Sequence, residues 1–231
     1  MNQIVGSMAQ VDEHKDALLW NAVQLSSAQR RYLPLKRFLD MVLSLIALVV
    51  LAPFFPLIAL LIKFDSPGPI LFKQERAGKD GTSFTVYKLR SMCQDAEKRL
   101  LQMDAYKMHS VVDIKQRLIN DPRITRVGRF IRKTSIDELP QFVNVLCGHM
   151  SLVGPRPLAT YEHEAMNWYQ QLRVSVKPGL TCFWQVCGRS HLDEKRRVEL
   201  DLRYIRELGF FTDLYLLLKT IPVLLSRNGA M

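Results

Sequence analysis

An uncharged stretch at residues 41–62 is interrupted near its middle by two prolines, Pro53 and Pro56. A helix of that length would rise about 33 Å, close to the thickness of the hydrocarbon core of a bilayer. Each proline removes a backbone hydrogen bond and clashes with the preceding turn, so the helix should break where Ala52 meets Pro53. A simple membrane span has no use for such a break. The sequence therefore predicts a bent membrane helix.

Basic side chains lie on both sides of this stretch. Lys and Arg concentrate in the cytoplasmic segments of membrane proteins, so both ends of the helix are predicted to face the cytoplasm. A helix that enters the bilayer, breaks and returns satisfies both constraints. We therefore divide the chain into a flexible N-terminal arm (1–32), a re-entrant membrane helix (33–64) and a cytoplasmic domain (65–231). The flanking cations are Arg30, Arg31, Lys36 and Arg37 before the stretch and Lys63, Lys73, Arg76 and Lys79 after it.

The chain carries a formal net charge of +10 and contains four cysteines and five histidines. Such a charge favours contact with an anionic leaflet and with phosphorylated substrates. The sequence has no recognised nucleic-acid motif or basic helix face, so no nucleic-acid partner is expected. The cysteines and histidines lack CxxC and HxxxH spacings, which argues against a transition-metal site and for reduced thiols.

Local patterns predict an α+β domain that is mainly helical, with amphipathic helices at the membrane interface. Turn residues at 78–81 separate two short strands. The predicted strands are 70–74 and 84–88, and the predicted helices are 94–107, 139–146, 161–173, 194–208 and 214–225, with a basic stretch at 123–132. The helix at 139–146 is expected to present one apolar face, which consists of Leu139, Phe142, Val143 and Leu146.

Two adjacent carboxylates, Asp137 and Glu138, follow a run of basic residues. One interpretation is structural, because Ser135 and Glu138 have the spacing of a capping box and acidic residues suit the first turn of a helix. The other is chemical, because nearby cations keep a carboxylate ionised well below neutral pH, as a nucleophile or a Mg²⁺ ligand requires. Spacing alone leaves both interpretations open. The preceding cations are Arg123, Arg126, Arg129, Arg132 and Lys133.

Further candidate phosphate contacts lie elsewhere in the chain. Arg156 stands between two prolines, whose restricted backbones would hold its guanidinium ready for a phosphate or for a structural pairing with a helix carboxylate. Lys88 and Arg90 alternate on one side of a predicted strand, as in a substrate site or in a solvated edge strand. Around Trp184 and Arg189, stacking of a base or sugar competes with a role of the indole as a core or interface anchor.

Taken in order, these motifs and several others resemble the bacterial sugar transferases, which are monotopic polyprenyl-phosphate phosphoglycosyl transferases. The resemblance covers roughly residues 36–227 and leaves 1–33 outside. The length of the chain is similar to that of the small exopolysaccharide-initiating members. The matching strings are Lys36-Arg37 with Asp40, Ala52-Pro53, Gln74-Glu75-Arg76, Tyr87-Lys88-Leu89-Arg90-Ser91-Met92, Ser135-Ile136-Asp137-Glu138-Leu139-Pro140-Gln141, Met150-Ser151-Leu152-Val153-Gly154-Pro155-Arg156-Pro157 and Lys177-Pro178-Gly179-Leu180-Thr181.

The resemblance implies an enzyme at the cytoplasmic face of the bacterial inner membrane. It would transfer a hexose-1-phosphate from a UDP-sugar to undecaprenyl phosphate and release UMP, which initiates a surface glycan. Asp137 would be the nucleophile that forms a phosphosugar-aspartyl intermediate. Glu138 would act as a base or hold Mg²⁺ together with Asp137. The residues expected to bind the phosphates and the nucleotide are Arg132, Arg156, Lys88, Arg90 and Arg189.

Three residues depart from the family pattern. Ala52 stands where a serine is usual, His149 where many members have an acid, and Cys182 where a glycine is usual. None of them changes the Asp-Glu pair, so the activity is expected to be retained. An alternative from another class is a non-catalytic membrane-anchored scaffold of a polysaccharide assembly complex, which would tolerate replacement of Asp137. No residue pattern indicates which hexose is transferred or the oligomeric state.

Overall fold

The computed structural model describes residues 24–96, 99, 121–187 and 192–225. Arg189, most of the predicted N-terminal arm and most of the helix predicted at 94–107 lie outside these residues. The described residues form a long N-terminal helix and an α+β domain.

The long apolar helix comes first. Helix α1 (Ser27–Leu51) begins after Ser26, whose hydroxyl accepts a hydrogen bond from the backbone N–H three residues later in a capping box. It is followed by a 3₁₀ turn at Ala52–Phe54 and then by α2 (Phe55–Asp65), so the α-helix is interrupted where the prolines predict. The assignment of residues 27–32 to a flexible arm is wrong, because the capping box starts the helix at Ser27.

The middle of this helix exposes its apolar side chains. Val49, Phe54 and Leu57 are 65%, 56% and 59% exposed. Among the residues that the structure describes, Ser27–Asp65 is the one helix long and apolar enough to cross a membrane. Exposing so many apolar side chains to water is unfavourable, so the helix is expected to lie in lipid.

Both ends of the helix are attached to the α+β domain. Near the start, Arg37 donates hydrogen bonds to the carbonyl oxygens of Val145 (2.5 Å) and Leu146 (2.7 Å). At the far end, the carboxylate of Asp65 accepts a hydrogen bond from the backbone N–H of Val127 (2.8 Å). The two ends of the apolar segment therefore contact one and the same domain.

The strands form two small sheets. Strands β1 (Leu71–Ala77) and β2 (Ser83–Leu89) pair antiparallel around a 3₁₀ turn at 79–81, which confirms the predicted hairpin. The short strand β4 (Leu158–Ala159) pairs with the other edge of β1. Strands β3 (Ser151–Val153) and β5 (Gly179–Thr181) pair in parallel.

Two glycines let the loop after β3 approach β5 closely. A Cβ atom added to Gly179 would lie 2.1 Å from the backbone nitrogen of Gly154, so a larger residue would force the two backbones apart. The N–H of Gly179 also donates to the carbonyl oxygen of Pro155 (2.8 Å). These contacts fix the loop that carries Arg156.

The remaining helices pack around one main core, in which Tyr204, Met150 and Leu216 are fully buried. The predicted amphipathic helix at 194–208 is confirmed. The last helix exposes apolar side chains, among them Phe211 (83%) and Leu218 (58%). The helices are α3 (Arg126–Lys133), α4 (Gln141–Leu146), α5 (Thr160–Glu164), α6 (Trp168–Gln171), α7 (Phe183–Cys187), α8 (Glu194–Glu207) and α9 (Phe210–Leu225).

The single helix predicted at 161–173 is wrong. The segment forms α5, α6 and a 3₁₀ turn at Leu172–Ser175. Asn167 is the reason, because its side chain accepts a hydrogen bond from the backbone N–H of Gln170 (2.9 Å) and so starts a new helix.

The predicted apolar face of α4 is not its most buried side, although Phe142 packs partly buried against the main core. The buried residues of this helix are Gln141, Asn144 and Val145, whereas Val143 is 40% exposed. The amide of Asn144 donates to a carbonyl oxygen of β2 (2.7 Å) and accepts from a backbone N–H of the same strand (3.2 Å). A polar contact with the edge of β2, rather than apolar periodicity, sets the rotation of this helix.

Candidate active site

The Asp-Glu pair lies on a strained turn between two helices. Helix α3 ends at Lys133, Ser135 has a left-handed backbone conformation (φ 57°), and a 3₁₀ turn at Ile136–Glu138 leads into α4. This conformation is unfavourable for residues other than glycine and persists where the surrounding structure holds it. The side chain of Ser135 makes no capping hydrogen bond. The capping-box interpretation of Ser135 and Glu138 is therefore wrong.

Helix α3 is fixed at its start by two side chains. The hydroxyl of Thr125 accepts a hydrogen bond from the N–H of Gly128 (2.9 Å), and Asp65 accepts the one from Val127. A Cβ atom on Gly128 would lie 2.0 Å from the carbonyl oxygen of Ser91, so the helix packs directly on the backbone that follows β2. The end of the membrane helix thus helps to position the segment that leads to the carboxylate pair.

Glu138 is held by two cations. Lys88 Nζ lies 3.1 Å and Arg156 Nη2 lies 3.0 Å from the same carboxylate oxygen, Oε1. Burial by itself would raise the pKa of Glu138, but the charges of Arg156 and Lys88 outweigh it and lower the pKa to about 2. No described residue donates a hydrogen bond to Oε2. Glu138 is therefore an ionised carboxylate with one oxygen free for another ligand.

Asp137 has a different environment. It is 9% exposed, and its carboxylate makes no hydrogen bond or ion pair with the described residues. Burial and the negative charge of Glu138 raise the pKa of Asp137 to about 6, although Lys88, Arg132 and Arg156 oppose the shift. The prediction that cations keep the carboxylates ionised well below neutral pH is confirmed for Glu138. It is wrong for Asp137, because no described cation forms an ion pair with that side chain and burial dominates.

Three of the predicted phosphate-binding residues gather at this pair. Lys88 comes from β2 and Arg156 from the loop after β3, and both contact Glu138. Arg132, in the last turn of α3, adds positive charge near Asp137. Two candidates remain. Arg189 lies outside the described residues, and Arg90 makes its contacts elsewhere.

Arg90 makes its contacts at the end of the membrane helix. It is 6% exposed, and its Nη2 donates to the carbonyl oxygens of Ile62 (3.1 Å) and Ser66 (2.5 Å). A cation at the C-terminal end of a helix complements the helix dipole. Lys88 and Arg90 were expected to act from one side of a strand, but β2 ends at Leu89 and their partners differ. Arg90 therefore fixes α2 to the domain.

A small cavity opens beside Glu138, Lys88 and Arg156. Arg76 lies next to this cavity, and the sequence analysis did not select it as a site residue. Arg76, on β1, donates to the carbonyl oxygen of Pro157 (3.2 Å) and lies 3.7 Å from a carboxylate oxygen of Glu162. Its one signal in the sequence was its place in the Gln-Glu-Arg string of β1. The cavity is lined by Val86, Lys88, Glu138, Gln141, Arg156, Pro157, Gly179 and Leu180.

Trp184, on α7, packs partly buried against the main core. This agrees with its predicted role as a core anchor. Two guanidinium groups also contact its ring. That of Arg156 lies 5.8 Å and that of Arg197 lies 5.3 Å from the ring centroid. The indole therefore connects the core to the cation that holds Glu138.

The residues present fit a Mg²⁺ ion. Magnesium is usually bound by one or two carboxylates together with substrate phosphates and water. Asp137 and Glu138 supply two carboxylates with unused oxygen atoms, and the described residues hold no cluster of three or more His, Cys, Asp or Glu that would suit a transition metal. The donor set is that of a hard cation shared with a phosphorylated substrate.

The sequence also matches a known family. The family model described as bacterial sugar transferase matches residues 31–227. The chain belongs to this family. The resemblance drawn from the motifs is thereby confirmed.

Three relatives illustrate the range of the family. The chain is 39% identical over 225 residues to an undecaprenyl-phosphate galactose phosphotransferase of Salmonella typhimurium, which covers 96% of the chain and 47% of that relative. It is 42% identical over 198 residues to a UDP-glucose:undecaprenyl-phosphate glucose-1-phosphate transferase of Escherichia coli (81% and 39%). It is 41% identical over 207 residues to the exopolysaccharide production protein PSS of Rhizobium leguminosarum (85% and 98%). The chain thus spans about half the length or less of the first two relatives and nearly all of the third.

Proposed function

We propose that this protein transfers a hexose-1-phosphate from a UDP-sugar to undecaprenyl phosphate, releases UMP and so initiates exopolysaccharide or another surface glycan. The observation that carries the proposal is the carboxylate pair, in which Glu138 is held by two cations and Asp137 has no hydrogen-bond or ion-pair partner among the described residues. Two relatives have names that state transfer to undecaprenyl phosphate, and one has a name that states exopolysaccharide production. The family and the site point to the same reaction.

In the first step, a carboxylate oxygen of Asp137 attacks the β-phosphorus of the UDP-sugar. A phosphorus–oxygen bond to Asp137 forms, the bond from the β-phosphorus to the bridging oxygen breaks, and UMP leaves with that oxygen and its electron pair. In the second step, a phosphate oxygen of the lipid attacks the same phosphorus, and Asp137 leaves as a carboxylate. Dividing the transfer in this way replaces one difficult step by two easier ones. Asp137 suits the role because no described side chain occupies its oxygens.

The cations have separable roles in this scheme. Lys88, Arg156 and Arg132 neutralise charge that accumulates on the transferring phosphoryl group. A carboxylate with a pKa of about 2 is a weak base, so Glu138 orients Lys88 and Arg156 rather than removing a proton. Asp137 and Glu138 would hold Mg²⁺, which when bound would neutralise negative charge on the diphosphate.

The attachment of both helix ends supports a re-entrant topology. A helix that ran straight through the bilayer would separate Asp40 and Ile62 by about 33 Å across opposite faces. Here Asp40 accepts a hydrogen bond from the backbone N–H of Leu152 (3.0 Å), and the carbonyl oxygen of Ile62 accepts one from Arg90. Together with the basic residues on both flanks, this supports our proposal that both ends lie on the cytoplasmic face of the bacterial inner membrane. The exposed apolar side chains of α9 would lie in the interface between that membrane face and water.

The direct test is UMP release from the full chain in detergent or nanodiscs. The protein is incubated with undecaprenyl phosphate, Mg²⁺ and, in turn, UDP-glucose, UDP-galactose and their N-acetylated forms. At least one donor should release UMP, and Asp137→Asn should slow the reaction by about 1,000-fold or more because it removes the attacking charge. Asp80→Asn is the matched control, since Asp80 is exposed on the β1–β2 turn. Near wild-type release by Asp137→Asn would overturn the assignment and favour the non-catalytic scaffold.

A further inference from the structure

Arg197 is a partly buried cation without an ion-pair partner among the described residues. It lies in the first half of α8, and its guanidinium contacts the ring of Trp184 at 5.3 Å. Its side chain makes no hydrogen bond or ion pair with the described residues, and its Nε atom is fully buried without an acceptor among them. The adjacent Arg196 differs, since it is exposed and pairs with Glu199 (2.9 Å). Arg197 was not singled out by the sequence.

Two other arginines lie near Arg197. Burial and then the charges of Arg156 and Arg173 lower the pKa of the Arg197 guanidinium, while Glu194 and Asp193 oppose the shift without forming an ion pair with it. Each of the other two arginines has a carboxylate partner, because Arg156 pairs with Glu138 and Arg173 with Asp201. Removing an unpaired cation from water is costly unless a partner satisfies it. Among the described residues no anion hydrogen-bonds to the Arg197 side chain, which leaves its guanidinium available to an anion from the substrate.

We propose that Arg197 binds the α-phosphate of the nucleotide-sugar, which is the phosphate that leaves as UMP. The inference rests on the proposed function and adds a binding residue to it. Arg156 contacts Glu138 beside the reacting carboxylate, and Arg197 shares the ring of Trp184 with Arg156. Each guanidinium can bind one phosphate of the diphosphate, with Arg156 nearer the attacked β-phosphorus and Arg197 at the phosphate beyond it.

This arrangement gives Arg197 a role in the first step. When the bond between the β-phosphorus and the bridging oxygen breaks, that oxygen carries its electron pair to the α-phosphate, whose negative charge increases. A guanidinium already in place stabilises that charge without reorganisation. Trp184 is a positioning residue in this account, because its ring face attracts both guanidiniums and limits their freedom.

The test compares Arg197→Gln and Arg197→Lys with the control Arg196→Gln, all in the full chain. UMP binding is measured by calorimetry in the Asp137→Asn background, and KM is measured for each substrate in the active enzyme. Arg197→Gln should weaken UMP binding at least tenfold and raise KM for the UDP-sugar by a similar factor, with KM for undecaprenyl phosphate unchanged. Arg197→Lys keeps the charge and loses the forked geometry, so its UMP affinity should lie between those of wild type and Arg197→Gln. Arg196→Gln should behave as wild type.

Two results would overturn the inference. One is UMP affinity in both Arg197 variants equal to that of Arg196→Gln. The other is that the Arg197 variants have a lower melting temperature and a lower kcat but an unchanged KM for the UDP-sugar, which would mean that Arg197 only supports the fold. Should Arg197→Gln fail to fold, the same comparisons are made with Arg197→Lys. Failure of the proposed function would look different, because wild-type protein would then release no UMP from any UDP-sugar.

Discussion

The attachment of the membrane helix to the domain depends on a buried ion pair whose loss should be measurable. Lys36 Nζ lies 2.6 Å from Asp213 Oδ2, and both side chains are about nine-tenths buried. The carboxylate also accepts hydrogen bonds from the hydroxyls of Tyr32 (2.8 Å) and Tyr204 (2.8 Å). Lys36 donates in addition to the carbonyl oxygen of Val153 (3.0 Å), just before the loop that carries Arg156.

Lys36→Met keeps the length of the side chain and removes its charge. Breaking a buried ion pair costs about 3–5 kcal/mol, because the remaining charge is left without compensation. The two tyrosine hydroxyls still bind Asp213, so we expect a loss at the lower end, about 3 kcal/mol. A domain of this size loses about 2–4 °C of melting temperature per kcal/mol, which gives about 6–12 °C. The double variant Lys36→Met/Asp213→Asn removes both charges and should recover part of this loss.

The assay is thermal unfolding in detergent, followed by near-UV circular dichroism. Arg31→Met is the matched control, because Arg31 is exposed on the same helix. It should change the melting temperature by no more than about 1–2 °C. The reasoning is refuted if Lys36→Met has the same melting temperature as Arg31→Met, or if the double variant is no more stable than Lys36→Met.

Four further predictions concern the site and the membrane helix. The pKa of Asp137 is raised to about 6 and the attacking form is the carboxylate, so kcat/KM should be constant above that pH and fall about tenfold per pH unit below it; a profile that stays flat to pH 5 would contradict this. Chelation with EDTA should abolish UMP release and added Mg²⁺ should restore it, whereas full activity after thorough chelation would exclude a metal requirement. Single cysteines introduced near Gln24 and Lys79 on a cysteine-free background should both be shielded from an impermeant thiol reagent in spheroplasts; labelling near Gln24 alone would mean a full span. Replacing Pro53 and Pro56 with leucine should let part of the population cross the membrane, and a double variant that stays one-sided and active would show that the prolines do not set the topology.

Features that depend on local chemistry were predictable from the sequence. The helix break follows from Pro53, whose ring restricts the backbone wherever it occurs. The β1–β2 hairpin follows from a glycine-containing turn between two short apolar runs. The rotation of α4 could not be predicted in this way, because it depends on hydrogen bonds from Asn144 to β2, 59 residues earlier in the chain.

The electrostatics of the site were predictable only in outline. Basic residues near the Asp-Glu pair suggested that both carboxylates stay ionised, but the nearest cations in sequence are not the ones that bind. Glu138 pairs with Lys88, 50 residues before it, and with Arg156, 18 residues after it. Asp137 receives neither contact, and its burial raises its pKa. Arg197 is beyond sequence reasoning for the same reason, since Trp184 and Arg156 meet it only in the folded chain.

The central claim is that Asp137 carries the sugar phosphate during turnover, and the mass of the intact protein tests it most directly. The full chain is incubated with the preferred UDP-sugar and Mg²⁺ in the absence of lipid acceptor and then measured by mass spectrometry. Wild type should gain the mass of one hexose phosphate on the peptide that contains Asp137, and undecaprenyl phosphate should discharge it. Asp137→Asn should gain nothing. An adduct that forms equally on Asp137→Asn, or that undecaprenyl phosphate does not discharge, would contradict the claim.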